Sequence, residues 1–174
     1  GQSTINNGFP RDATLHKIPS STTGVWKLSS RLTGSKYLQT NSSASEGNTT
    51  FTFDDMGQFV DDQNFSSGDT AYWMWKRAPG YFDAVAYTGN GTAGRTVSHN
   101  LGVAPEMMWV KQRNASNNWH VYHSGLNVDG DNAPETDYIY LDISSAAADG
   151  PLWYDTEPTA TDFTLFHGSA VNAS

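Results

Sequence analysis

Residues 87–102 read Tyr-Thr-Gly-Asn-Gly-Thr-Ala-Gly-Arg-Thr-Val-Ser-His-Asn-Leu-Gly. Gly89, Gly91 and Gly94 fall at the spacing G-x-G-x-x-G. In dinucleotide-binding folds that spacing follows a strand and opens a helix whose N-terminal amides hold a pyrophosphate. No helix is expected here, because β-branched Thr96 and Val97, then Gly102 and Pro105, crowd the positions after Gly94. Asn90-Gly91 is a hairpin signal, since both residues tolerate positive φ. Phe82–Tyr87, just before it, alternates like a strand. The stretch therefore predicts a β-hairpin, not a cofactor loop, in an all-β chain.

Short β-type runs recur on both sides of it. Phe51-Thr-Phe53 alternates, Met107–Val110 is a continuous apolar run, and Trp119–Tyr122 alternates again. Tyr138–Ile143 and Phe163–Phe166 complete the set, with turn residues between neighbours. Many short strands at such spacing predict an all-β β-sandwich of jelly-roll or lectin-like type, built from antiparallel strands. Ser144–Ala148 predicts one helical turn, which Gly150-Pro151 would stop.

Composition agrees with this class and excludes others. Charged residues make up 16% of the 174 and aromatic residues 13%, including six Trp. That suits pleated sheets joined by tight turns and is too aromatic for a disordered chain. Eighteen acids against ten Lys and Arg give a net charge of −8, with no basic stripe. Binding to a nucleic-acid backbone is disfavoured. No apolar run approaches the roughly twenty residues of a membrane span. The absence of cysteine removes disulfides and thiolate metal sites, and leans toward a bacterial or viral source.

The chain also resembles itself. Thr4-Ile5 and Phe9 find Thr96-Val97 and Leu101 at an offset of 92, and Trp26 finds Trp119 at 93. Asp12 with Lys17 finds Glu106 with Lys111 at 94. Tyr37-Leu38 meets Tyr140-Leu141 at 103, Ser43-Ala44 meets Ala146-Ala147 at the same offset, and Phe59 meets Phe163 at 104. The offset jumps because Asn127–Thr136 lengthens a loop in the second copy. Two tandem units are expected, 1–80 and 81–174, with a boundary near Gly80. The first lacks a strand matching Phe82–Tyr87. The second lacks a counterpart of the aromatic strand Tyr72–Trp75. That pattern predicts a piece of a longer repeat array, or a circular offset in which the end strands complete one another; the start at Gly1, not Met, fits a processed product or part of something longer.

Several residue groups merit a chemical reading. Asn127–Asp137 gathers Asp129, Asp131, Glu135 and Asp137, the oxygen-rich chemistry that calcium takes. Its glycine stands between the first two acids and its closing Glu is misplaced, so a solvated acidic turn is expected. Asp54-Asp55 and Asp61-Asp62 are neighbours that point to opposite faces of a strand and make poor acid–base partners. His16, His99, His120, His123 and His167 are dispersed, and His120 and His123 fall on opposite faces of a predicted strand. No H-E-x-x-H, G-x-S-x-G or activated nucleophile setting is present. On Tyr72-Trp-Met-Trp75, Tyr72 and Met74 share one face, and Trp73 and Trp75 the other. One face would be core and the other a surface able to stack on sugars. The N-x-[ST] sequons at Asn41, Asn48, Asn64, Asn90, Asn114 and Asn172 follow from composition alone.

Phe82-Asp-Ala-Val-Ala-Tyr-Thr-Gly-Asn-Gly-Thr-Ala-Gly-Arg-Thr-Val-Ser-His-Asn-Leu-Gly-Val-Ala-Pro105 closely resembles a repeat of large virion structural proteins of marine tailed phages, often described as tail-fibre or lectin-like. Met107–Arg113, Trp119–His123, Ala146–Ala148, Val171–Ser174 and Tyr72–Gly80 are similar to other blocks of that repeat. The likeness covers most of 65–174 well and 1–64 weakly, where Gly8-Phe-Pro-Arg11 replaces the longer Asn-Leu-Gly-Val-Ala-Pro stretch. It implies a non-enzymatic, surface-exposed component of the virion, a tail-fibre or capsid-fibre decoration module. The expected partners are other virion proteins, further copies of itself and host surface glycans. It implies no catalytic, cofactor or metal residues and specifies no ligand-binding residues. The alternative expectation is a carbohydrate-binding module of a virion-borne or secreted glycosidase, which would need an exposed aromatic platform. A polysaccharide depolymerase would need a carboxylate pair at a set separation.

Overall fold

The computed structural model describes residues 3–17, 24–49, 53, 58–61, 70–168 and 170–174. The chain is all-β and antiparallel. Its strands are β1 (Ser3–Asn6), β2 (Ala13–Lys17), β3 (Lys27–Ser30), β4 (Lys36–Gln39), β5 (Gly47–Asn48), β6 (Gln58–Asp61) and β7 (Ala71–Trp75). They continue as β8 (Arg95–Ser98), β9 (Met107–Val110), β10 (His120–His123), β11 (Asp137–Tyr140), β12 (Ala148–Asp149) and β13 (Asp162–Leu165). Three single-turn 3-10 helices are the only helical pieces among the described residues.

One pairing pattern occurs twice. β1 pairs with β6 while β2–β3–β4–β5 form a meander; β8 pairs with β13 while β9–β10–β11–β12 form a meander. The registers agree in detail. Ile5 lies opposite Phe59, and Val97 opposite Phe163. Backbone bonds recur at matching places: Arg31 N–H to the Asp12 carbonyl at 2.8 Å and Ser124 N–H to Glu106 at 2.8 Å. Thr40 to Trp26 at 3.0 Å is echoed by Leu141 to Trp119 at 3.3 Å. Thr49 to Ser35 at 3.0 Å is echoed by Gly150 to Thr136 at 2.7 Å. Even the loop cap returns, as Asn41 Oδ1 accepts the Trp26 amide and Asp142 Oδ1 the Trp119 amide, each at 3.0 Å. This register matches Tyr37, opposite Gly47, with Tyr138, opposite Ala148. Matching Tyr37 with Tyr140 by residue identity is therefore off by two positions.

The difference between the halves is β7. It covers the outer edge of β2, pairing Ala13 with Trp75 and Leu15 with Trp73. β9, in the place of β2, ends its sheet.

In the second half the β8/β13 ribbon lies over the face of the β9–β12 sheet. Val97, Phe163 and Leu165 from the ribbon meet Val110 and Tyr122 from the sheet in one buried cluster, closed by Trp153 and Val171. Alternation produces this arrangement: on β8 only Val97 is buried, while Thr96 and Ser98 face out. Trp153 is fully buried, and its indole N–H donates to the Asp137 carbonyl at 2.8 Å, so a large apolar ring enters without an unpaired donor.

Three local expectations fail. Phe82–Tyr87 is not a strand, apart from an isolated bridge between Ala78 and Phe82, and no hairpin forms at Asn90-Gly91. This stretch is engaged elsewhere: the Asn90 and Gly91 amides bond to Asn172, and the Tyr87 hydroxyl to the Val171 carbonyl, so it packs on the C-terminal segment and not along β8. Ser144–Ala148 makes no helical turn, because Ala148 is held extended opposite Tyr138. Within Phe51-Thr-Phe53 only Phe53 is described, and it is buried with the Arg11 guanidinium 4.8 Å over its ring. Asp54-Asp55, Asp62 and Asn64 lie outside the described residues, as does the side chain of Asp61.

Candidate functional site

The glycine-rich loop binds the chain's own C-terminal segment. Gly91 and Gly94 have φ of 66° and 75°, the left-handed region that glycine reaches without strain. Gly89 has a different reason: a Cβ there would stand 1.7 Å from the Ala173 carbonyl oxygen. Asn172, fully buried, organises the contact. Its Oδ1 accepts the Asn90 amide at 3.0 Å, its carbonyl accepts the Gly91 amide at 2.9 Å, and its Nδ2 donates to the Thr92 carbonyl at 2.8 Å. The Tyr87 hydroxyl donates to the Val171 carbonyl at 2.5 Å, and burial pushes its pKa up to about 12 against the opposing pull of Arg95. The Gly91 amide that would face a phosphate is thus already used, and a strand, β8, stands where a dinucleotide site needs a helix.

Three of the four carboxylates of the acidic loop accept amides of its own backbone. Asp137, fully buried, accepts the Val128 amide at 2.8 Å. Asp131 accepts the Ala133 amide at 2.9 Å and Asp129 the Asp131 amide at 3.3 Å. No three His, Asp or Glu side chains among the described residues converge as metal ligands would.

The histidines remain apart, and the sheet assigns them different roles. His123 is exposed, while His120 is buried. His120 lies between the rings of Tyr138 and Tyr140, at centroid distances of 5.6 Å and 5.0 Å. Burial lowers its pKa, against a hydrogen bond with the Asn118 backbone and the charge of Asp142. Lys111 is close enough to lower the pKa of His120 slightly. The Lys111 amine donates to the carbonyls of Gln112 and Ala115, and desolvation lowers its own pKa. Asp142 is occupied by the Trp119 amide. The sequence reading missed this Lys–His–Tyr–Asp group, because His120 and Tyr140 lie on β10 and β11 while Lys111 and Asp142 follow β9 and β11, and strand pairing assembles them. None of its members supplies a nucleophile hydrogen-bonded to a base, the geometry that covalent catalysis requires. His16 is also buried, stacked 5.8 Å from Tyr72. His99 stacks on Phe163 at 6.4 Å. His167 borders an open cleft of about 280 Å³ beside Gly91 and Asn172.

Aromatic surface is concentrated on the outer faces of the sheets. Trp73 is 44% exposed and its ring lies 5.3 Å from that of Trp26, with the Lys17 ammonium 5.1 Å over the Trp26 ring. On β9, Met107 and Trp109 are 51% and 40% exposed, and the Trp109 indole N–H points to the Met107 sulfur at 2.9 Å. Tyr72, on the opposite face of β7, turns inward to His16, so the expected division of that strand between two faces describes its geometry.

No helix among the described residues is long and apolar enough to cross a membrane. Comparison with known proteins finds a family model, Domain of unknown function (DUF7483), that matches residues 2–174. No curated protein and no solved structure matches the chain. The match spans nearly the whole chain, and this protein belongs to the DUF7483 family.

Proposed function

We propose that this chain is a non-catalytic structural module, two tandem copies of one β unit within a surface array of a phage virion, as a tail-fibre or capsid-fibre protein would use. The observation that carries the reading is the recurrence of one pairing pattern with its individual hydrogen bonds, Arg31–Asp12 with Ser124–Glu106 and Thr40–Trp26 with Leu141–Trp119. Repetition of one unit builds length, and repeated weak contacts gain avidity. Asp129, Asp131, Asp137 and Asp142 each accept a backbone amide and His120 packs between tyrosine rings, which suits an architectural role. The phage setting rests on the sequence resemblance of 65–174.

Gold-conjugated antibody against the chain, applied to purified marine phage particles whose proteins include it by mass spectrometry, tests the setting. Labelling on the particle surface or tail is expected; labelling confined to lysed cells would refute it. A second reading, glycan binding, is favoured by the half-exposed Trp73, with the Trp26 ring tilted 36° beside it and the Lys17 ammonium over the Trp26 ring. Glycan-array signal that Trp73→Ala abolishes would support this reading, and an array with no signal would oppose it.

A further inference from the structure

The free edge of β9 repeats the edge of β2 that β7 occupies. Ser124 N–H bonds to the Glu106 carbonyl, which sets the phase of the β9–β10 ladder. Antiparallel pairs alternate between bonded and non-bonded, so Met108 and Val110 also turn their backbone groups toward β10. Met107 and Trp109 then turn their N–H and C=O groups away from it, where no strand among the described residues pairs with them. β2 has the same phase. Arg31 N–H bonds to the Asp12 carbonyl, so Ala13 and Leu15 face away from β3, and there they meet Trp75 and Trp73 of β7.

Side chains carry the same message. Ala13 and Leu15, beside β7, are buried and half-buried, whereas Met107 and Trp109 at the matching positions are 51% and 40% exposed. An open edge is normally blunted by proline, a charge or a bulge. Met107-Met-Trp-Val110 contains neither a proline nor a charge. The carboxylate beside the edge fits as well. Asp12 Oδ2 accepts the Arg77 amide at 2.8 Å just beyond β7, and Glu106 stands at the place of Asp12 with an exposed side chain. A strand of the β7 type would bring a backbone amide to Glu106 in the same way.

We infer that the β9 edge is a strand-acceptor site, and that its occupant is an antiparallel segment of the Ala-Tyr-Trp-Met-Trp-Lys-Arg type supplied by another repeat unit. The register follows from β2. The second Trp of the incoming segment lies opposite Met107, the first Trp opposite Trp109, and the Ala opposite Lys111. Main-chain bonds to Met107 and Trp109 provide affinity, and the apolar outer face provides selectivity. This inference rests on the tandem-unit reading above and deepens it: units join by donating their aromatic strand.

The test uses the 174-residue chain and the synthetic octapeptide Thr-Ala-Tyr-Trp-Met-Trp-Lys-Arg, the sequence of residues 70–77. Amide hydrogen exchange is followed residue by residue as peptide is added. The amides of Met107 and Trp109 should slow by about tenfold or more. The same peptide N-methylated at its two Trp residues should leave them unchanged. Trp109→Pro removes an N–H that β10 does not use and should abolish the effect; if that variant does not fold, the N-methylated peptide remains the deciding control. Unchanged exchange at Met107 and Trp109 with millimolar peptide, or equal slowing by the N-methylated peptide, overturns the inference. Peptide protection without antibody labelling of particles would refute the virion setting and leave the acceptor edge standing. Labelling without protection would do the reverse.

Discussion

The Trp119 indole N–H donates to the carbonyl of Gln39, 80 residues away, at 2.7 Å. Trp119 belongs to the second half and Gln39 to the end of β4 in the first, so one buried ring ties the two meanders together. Arg113 and Glu46 form the neighbouring tie, through a 2.7 Å ion pair and a backbone bond from Glu46 N–H to the Arg113 carbonyl.

These two ties should differ in strength. Trp119→Phe keeps a large ring but leaves the Gln39 carbonyl without its donor, and should cost about 1–3 kcal/mol in denaturant unfolding. Arg113→Ala removes a partly exposed ion pair and should cost about 1 kcal/mol or less. Equal losses for the two variants would contradict the view that burial sets the strength of the junction.

Gly89→Ala should detach the C-terminal segment while sparing the sheets. The added methyl has no room beside the Ala173 carbonyl, so Val171–Ser174 must shift. Amide exchange at Gly91 should accelerate, and the Tyr87 hydroxyl should ionise nearer pH 10 than 12 by ultraviolet titration. Far-ultraviolet dichroism should stay as in the parent chain.

Acid should destabilise the first half through His16. Its pKa falls from 6.5 to about 4, chiefly by burial and secondarily through Lys27. Between those values the unfolded chain binds a proton that the folded chain rejects, so stability rises with pH across that window. The contribution is fully present above pH 6.5 and is lost as pH falls toward 4, by roughly 3 kcal/mol at most. His120, lowered in the same direction by burial, adds to the trend. His16→Gln should flatten the pH 4–6.5 segment of the stability profile. A slope unchanged by that substitution would rule out His16 as its source.

Asp137 offers a sharper contrast between acceptor and charge. Asp137→Asn keeps an oxygen for the Val128 amide, whereas Asp137→Ala leaves that amide unpaired and should cost about 1–3 kcal/mol. If the loop carboxylates serve only the backbone, melting of the parent chain should not shift on adding millimolar calcium. A rise in melting temperature with calcium would show that they do more.

Residue patterns made the strands legible where alternation or apolar runs were strong. Met107–Val110 emerged as read and Phe163–Phe166 shifted by one residue to Asp162–Leu165, and Trp26 with Trp119 and Phe59 with Phe163 fall on matching registers. Phe82–Tyr87 looked equally regular, but the loop that follows it is bonded to Val171 and Asn172 and does not turn back along β8. The Lys111–His120–Tyr140–Asp142 group was invisible for a related reason. Each member looks ordinary in or just after its own strand, and only lateral pairing of β9, β10 and β11 sets them side by side.

By itself, the sequence determined the all-β class and the order of short strands, because side-chain alternation and turn chemistry act over a few residues. Tertiary structure decided which strands pair and what the glycines are for. Pairing is a competition among distant edges, and every strand has only two. In that competition Gly89, Gly91 and Gly94 became a seat for Asn172, β2 gained β7, and β9 kept an edge open.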